Sequence, residues 1–378
     1  MRTKSAIARV TWAQVHAFRV ARHGLERRAT KRALVKTLGA MGGAQAQVMS
    51  AAEMQIAVRV DCSASDVRNA LWRDRTLVKT WLMRGTLHLV PAADLPLYTA
   101  GLRTRWTRPR NSWLKYFGMS ESDLDEFVET VGGALSDTPL TKDELIAVAG
   151  RGRSPRVREW LRSGWGGLLK PAARRGLLCF GPSRGTSVTF VRPAKWLPIW
   201  RELDPDAALV ELARRYLRAY GPATKYDFAA WFGHWAGIAN AAWSGLGGEL
   251  ARVSIDGVAA DILARDLDAL LELKASRSVR LLPPFDPYLM GYAARDHLFD
   301  RVHAPKVSRT AGWISAVVLA GGRVEGTWTH AIASDTLRIA IASFGRLSPR
   351  VRSETQDRAG ELARAMGLAK AEVRVVSR

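Results

Sequence analysis

The chain has 378 residues, with 57 Lys and Arg against 35 Asp and Glu, a formal net charge of +22. A composition of 47% apolar and 24% charged residues argues against extensive disorder, and two cysteines, Cys62 and Cys179, are too few for a disulfide framework or a cysteine zinc site. The opening MRTKSAIARVTW has no apolar core of a secretion signal, so a cytoplasmic protein without membrane association is expected.

In chain order, Thr11 and Gln14 have capping-box spacing and open a helix that Gly24 can close. Thr30 can cap a second helix ending near Gly39, Ser50 with Glu53 makes another box, and Ser63 with Asp66 opens DVRNALWRD. Two β-rich runs, LVKTWLM and TLHLV, then flank Arg84-Gly85 as a hairpin. Helices followed by a hairpin are the order of a winged helix, and the order recurs. The second pass has helix SDLDEFVETVGGAL, a box at Thr141 and Glu144, a helix around Trp165–Arg175, and strands LLCF and VTFVRP about GPSRGTS. The third has helix AALVELARRYLRAY, a stop at Gly221-Pro222, a box at Thr224 and Asp227, and a hairpin turning at Asp256-Gly257. Beyond the proline-rich joint 282–287 come three alternating strands separated by GG and SD turns, a helix over Ser353–Met366 and a last strand AEVRVV. The expected class is α+β: three tandem winged helices (1–118, 119–200, 201–282) and a C-terminal β-rich element (283–378) with an antiparallel sheet.

The charge is uneven. Residues 1–120 hold 21 bases and 6 acids, whereas residues 201–378 hold 24 and 20. Two-thirds of the net charge in the first third of the chain is the footprint of a polyanion site, although a basic solvated surface would look the same. Arg103, Arg105, Arg108 and Arg110, interleaved with Trp106 and Trp113 and followed by Lys115, combine phosphate neutralisation with stacking surfaces. The alternative is an exposed basic helix end whose tryptophans are core. The seven histidines show no metal-ligand spacing, and no nucleophile elbow, P-loop or dinucleotide fingerprint occurs, so neither metal nor cofactor is expected. His88, between Leu87 and Leu89 in a strand, reads as facing a groove or a core partner rather than as a base. In Gly42-Gly43-Ala44-Gln45-Ala46-Gln47, two glutamines at i and i+2 of extended backbone project to one side. Glutamine does not titrate, but its oxygen can hold a water. On chemistry alone the run reads first as a polar loop between helices.

The Gly43–Gln47 run, Thr80-Trp81-Leu82-Met83-Arg84-Gly85-Thr86-Leu87-His88-Leu89-Val90, Gly221-Pro222-Ala223-Thr224 with Asp227-Phe228 and Trp231, Arg280-Leu281-Leu282, Phe285-Asp286-Pro287-Tyr288-Leu289, Gly291-Tyr292 and Gly326-Thr327-Trp328 together resemble the AlkZ-type (AlkZ/AlkX, helix-turn-helix-42) DNA glycosylase superfamily. The resemblance implies a C-shaped array of three winged helices plus a β-rich element. It also implies monofunctional, lyase-free excision of alkylated purines from double-stranded DNA, including bulky N7-guanine adducts and, in some members, interstrand crosslinks. The family motif, Gln-Φ-Gln in one branch and Gln-Φ-Asp in the other, falls on Gln45 and Gln47, with Ala46 smaller than the usual middle residue. Arg84, His88 and the Arg103–Lys115 cluster are the expected DNA contacts of a monomer. A non-catalytic winged-helix DNA-binding protein or regulator is the competing expectation.

Overall fold

The computed structural model describes residues 7–104, 111–162, 166–233 and 237–376, and shows a mixed α+β architecture. Four capping boxes form as the sequence predicts. The side chains of Thr11, Ser63, Thr141 and Thr224 each accept from the backbone N–H three residues on, opening the helices Trp12–Arg22, Ala64–Trp72, Lys142–Ala149 and Lys225–Phe232. Ser50 and Glu53 make no box. The helix Met49–Ala57 begins at Val48, so Ser50 already lies in its first turn, and Glu53 turns instead toward Arg68 at 3.4 Å. Thr30 likewise makes no side-chain cap, because its backbone pairs in parallel with Asp61 before a short 3-10 turn.

Each of the three predicted hairpins is present and each gains a third strand. Leu77–Trp81 and Leu87–Pro91 are joined by Ala44–Gln45, and Cys179–Arg184 and Ser187–Val191 by Leu140–Thr141. The third hairpin, Leu250–Ile255 with Val258–Leu263, takes its extra strand from the start of the chain: Ala8–Val10 runs parallel to Val253–Ile255. The helix Trp12–Arg22 follows it, with Arg22 paired to Asp266 at 2.5 Å. The second module also has a helix, Pro155–Arg162, that the sequence reading passed over, and the helix expected around Trp165–Arg175 shortens to Lys170–Arg174, with Trp165 outside the described residues.

The C-terminal sheet has five strands in the order Val279–Leu282, Val317–Ala320, Arg323–Ala333, Thr336–Ser343 and Lys370–Val375. It corrects two expectations. Val279–Leu282, assigned to the preceding module, is an edge strand of this sheet. The sheet is also mixed rather than antiparallel, since Lys370–Val375 lies parallel to Thr336–Ile341. The 17-residue helix Pro349–Ala365 between them carries the chain back to its starting end, the connection that a parallel pair requires. No helix among the described residues is long and apolar enough to cross a membrane.

The joint at 282–287 is the anchor of the fold. Asp286 is completely buried and takes two hydrogen bonds from the equally buried Arg59, at 2.7 and 2.8 Å. Arg59 also donates through Nε to the His23 carbonyl at 2.8 Å, so the end of the first helix is held by the same guanidinium. Asp286→Ala is expected to cost ~3–5 kcal/mol by stranding Arg59 in the interior. A combined Arg59→Met, Asp286→Leu variant should recover most of the loss in denaturant unfolding, whereas a loss in the double variant as large as in the single one would mean that the charges stabilise in their own right.

Candidate active site

Gly42 and Gly43 adopt φ of +78° and +89°, and a Cβ on Gly43 would stand 2.9 Å from the Leu89 carbonyl oxygen. Only glycine lets the chain turn this close to the hairpin. Past that turn Ala44 pairs with Leu89 and Gln45 with His88, and the Ala46 N–H donates to the Leu87 carbonyl at 2.7 Å. Ala46 is fully buried in the core of the first module. Gln55 holds the same strand from behind: its Nε2 donates to the Gln45 carbonyl at 3.2 Å and to the Pro284 carbonyl at 3.0 Å.

The Gln45 side chain is 6% exposed and lies in a cleft lined by Gly42, Gly43, Arg84, His88, Tyr220, Trp231, Phe285, Pro287 and Met290. Its volume is about 10 Å³, the scale of a single water. Arg84 sits at φ +57° in the hairpin turn, and its guanidinium points inward. Nη1 donates to the Trp231 carbonyl, and Nη2 lies 3.4 Å from Gln45 Oε1 and 3.3 Å from His88 Nε2. A guanidinium only donates, so the amide face turned toward Arg84 is the oxygen. His88 Nδ1 donates to the Thr86 carbonyl at 2.9 Å, which leaves Nε2 unprotonated as the acceptor for Arg84. Burial, helped by the Arg84 charge, lowers the His88 pKa to about 3, so the imidazole is neutral at pH 7. Burial also lowers Arg84 to about 10, still fully charged. None of the described residues lining this cleft is a carboxylate.

The other expected residues are distributed differently. Gln47 is exposed and is not part of the cleft lining, because strand pairing ends at Gln45; its Oε1 accepts from the Leu87 N–H at 3.4 Å. Arg84 and His88, expected on DNA, are turned onto Gln45. Arg103 is paired with Glu202 at 2.8 Å, and Lys115 is exposed on the helix Asn111–Phe117, where Trp113 packs against Phe117 with the ring planes tilted by 49°. Arg105, Arg108 and Arg110 lie outside the described residues. Sequence reasoning missed Gln55, Tyr220 and Phe285 as parts of the site, and also Arg174 and Lys170, which pack beside Gly85. Phe285 lies in the quoted Phe285–Leu289 run without being singled out there, and nothing local in the sequence marks the others. No cluster of three or more His, Cys, Asp or Glu placed to hold a metal occurs among the described residues.

The cleft thus holds a buried amide set against a hairpin, facing a guanidinium and a neutral imidazole. The family model of AlkZ-like DNA glycosylases matches residues 38–365. The chain is 36% identical to the interstrand DNA cross-link repair glycosylase of Streptomyces sahachiroi, covering 97% of this chain and all of that protein. The solved structure of the Streptomyces sahachiroi DNA glycosylase AlkZ superposes with a TM-score of 0.87 at 34% identity, again over 97% of this chain and all of the other. This chain belongs to the AlkZ-like DNA glycosylase family and is an enzyme acting on the N-glycosyl bonds of DNA.

The buried histidines make stability depend on pH in one direction. His88 and His16 have folded pKa values of about 3, and His23 is also lowered by burial, against 6.5 for a free imidazole. Below 6.5 the unfolded chain takes up protons that the folded chain refuses, so stability is full above pH ~6.5 and falls as pH drops toward 3. Unfolding midpoints measured from pH 7 to pH 4 should decline, and the decline should be shallower in His88→Phe; an identical slope in that variant would contradict the burial of a neutral His88.

Proposed function

We propose that this enzyme hydrolyses the glycosidic bond of N7-alkylated purines in duplex DNA, with Gln45 in the cleft and Gln47, exposed two residues further along the chain, positioning the attacking water. The observation that carries the reading is a cleft built around an amide, with no carboxylate in its lining and a histidine too acidic to serve as a general acid. Such a site cannot supply the paired carboxyl groups of ordinary glycoside hydrolysis. It suits a base that already leaves readily, and alkylation at N7 places a formal positive charge on the purine. What remains for the protein is to place a water beneath C1′ and to offer partial negative charge to an oxocarbenium-like sugar, which amide oxygens can do. Gln45 Oε1 retains a lone pair beyond the one facing Arg84. With no Schiff base required, strand nicking is not expected.

The three helix-and-hairpin modules support a reading as winged helices arranged as a C around the duplex. On this reading Lys115, Lys170, Arg174 and the basic run through Arg103–Arg110 meet phosphates, whereas Arg84 and His88 orient Gln45. The relative named for interstrand cross-link repair extends the proposed substrates to bulky adducts and cross-linked guanines.

The test is base release from a duplex carrying one N7-methylguanine, and then one bulky N7 adduct, read by alkaline strand cleavage. Gln45→Ala is expected to slow release by ~10²–10³-fold, as removal of one preorganised dipole does in other enzymes. Gln47→Ala should lower it as well, and DNA affinity should change little in either variant. Wild-type protein that binds both duplexes and releases neither base would overturn N7-alkylpurines as the substrate.

A further inference from the structure

Phe285, one wall of the Gln45 cleft, is 5% exposed, and the ring of Trp313 meets it edge-on with centroids 4.8 Å apart and planes at 68°. Trp313 itself is 40% exposed. A side chain this large and apolar forgoes considerable stabilisation when it is left in water. The loop that carries it is nevertheless firmly based. Ser308 bridges to Ile314, the Arg309 N–H donates to the Trp313 carbonyl at 2.8 Å, and the Phe285 N–H reaches the Ile314 carbonyl at 3.3 Å. Arg295 braces the base from below, donating to the Leu289 carbonyl at 2.7 Å and to Ser308 Oγ at 3.2 Å. Residues 309–313 therefore form an exposed tip on a fixed stem.

Backbone strain gathers at the same place. Six non-glycine residues among those described have positive φ, and three of them are Arg84 and Phe285, which line the cleft, and Ala311, two residues before Trp313. Strained residues of this kind persist where surrounding structure forces them and cluster at functional sites. Of the basic residues in 301–313, Arg301 is paired with Asp296, and Lys306 and Arg309 are the local charge suited to a polyanion.

We infer that Trp313 is a stacking platform for a nucleobase of the DNA engaged at the Gln45 cleft, with Arg309 beside it for the adjoining phosphate. The inference rests on the proposed reading of that cleft. Exposed aromatic rings flanked by cations are a general means of holding unstacked bases, because every base has a π-face. Here the ring continues the wall of the cleft through Phe285, so a base displaced near the lesion meets it without any rearrangement of the core.

The experiment uses the full chain and its Trp313→Ala and Trp313→Phe variants. A short duplex with one N7-methylguanine and its undamaged counterpart serve as probes at fixed salt. Affinity is read by fluorescence anisotropy of labelled DNA, excision under saturating enzyme, and folding by the thermal midpoint. Trp313→Ala is expected to weaken binding of the damaged duplex about five- to hundredfold, Trp313→Phe to recover most of that, and the midpoint to stay near wild type. Wild-type affinity in Trp313→Ala overturns the inference. So does a loss of affinity that tracks a lowered midpoint and is not recovered by Phe. If wild type releases no base yet its affinity still depends on Trp313, the platform stands and the N7-alkylpurine reading of the cleft falls. Normal release with Trp313-independent binding gives the converse.

Discussion

The contact on which the site depends is the ion pair between Arg59 and Asp286, both wholly removed from solvent and 227 residues apart in sequence. Burying two charges costs several kcal/mol each, so such a pair is a weak source of net stability; its effect is to make one arrangement of the chain far better than its neighbours. Three regions converge on it: the end of the first helix through the His23 carbonyl, the helix Met49–Ala57 through the Gln55 carbonyl, and the segment after Leu282 through Asp286 itself. Tyr288 N–H donates to the same carboxylate at 3.0 Å and starts the short helix Pro287–Met290. Phe285, Pro287 and Met290, three walls of the cleft, are therefore set by one carboxylate.

Gln55 transmits this order to the strand that bears Gln45. It lies one helical turn before Arg59, is completely buried, and spends its two amide hydrogens on the Gln45 and Pro284 carbonyls. Both bonds are to backbone, so they fix where Gln45 stands without constraining its side chain. The side chain is set from the other direction, by an arginine whose own position depends on the Trp231 carbonyl. The amide thus sits between two long-range restraints that share no residue.

This division explains what the sequence could and could not reveal. The capping boxes at Thr11, Ser63, Thr141 and Thr224 and the hairpin at Asp256-Gly257 were legible because each is settled within a few residues. The strand Ala8–Val10 was not, since its partner lies more than 240 residues away, and neither was the parallel final strand, whose direction follows from the helix before it. Arg84 illustrates the same limit at the site. A cation next to Gly85 in a turn reads as an exposed wing tip, but that turn is docked on the helix Lys225–Phe232, and docking turns the guanidinium inward. Gln45 and Gln47 stood out only through family resemblance; their chemistry alone was that of a polar loop.

The inward guanidinium also bears on why an amide rather than a carboxylate occupies position 45. Arg84 is charged, largely desolvated and without a carboxylate in the cleft, and its Nη2 already faces Oε1 of Gln45. A carboxylate there would gain a strong, directional partner, and the resulting pair would be locked together and nearly neutral toward anything else in the cleft. An amide takes the same hydrogen bond more weakly and keeps its second lone pair available. It also adds no charge that a normal, neutral purine could exploit. On the proposed reaction, the site then supplies little beyond position and a modest dipole, and the greater part of the barrier must be lowered by the lesion itself. On that proposal, selectivity for cationic bases would follow from the weakness of the catalytic group, and that weakness would be compatible with activity only because the strand carrying it is so firmly held.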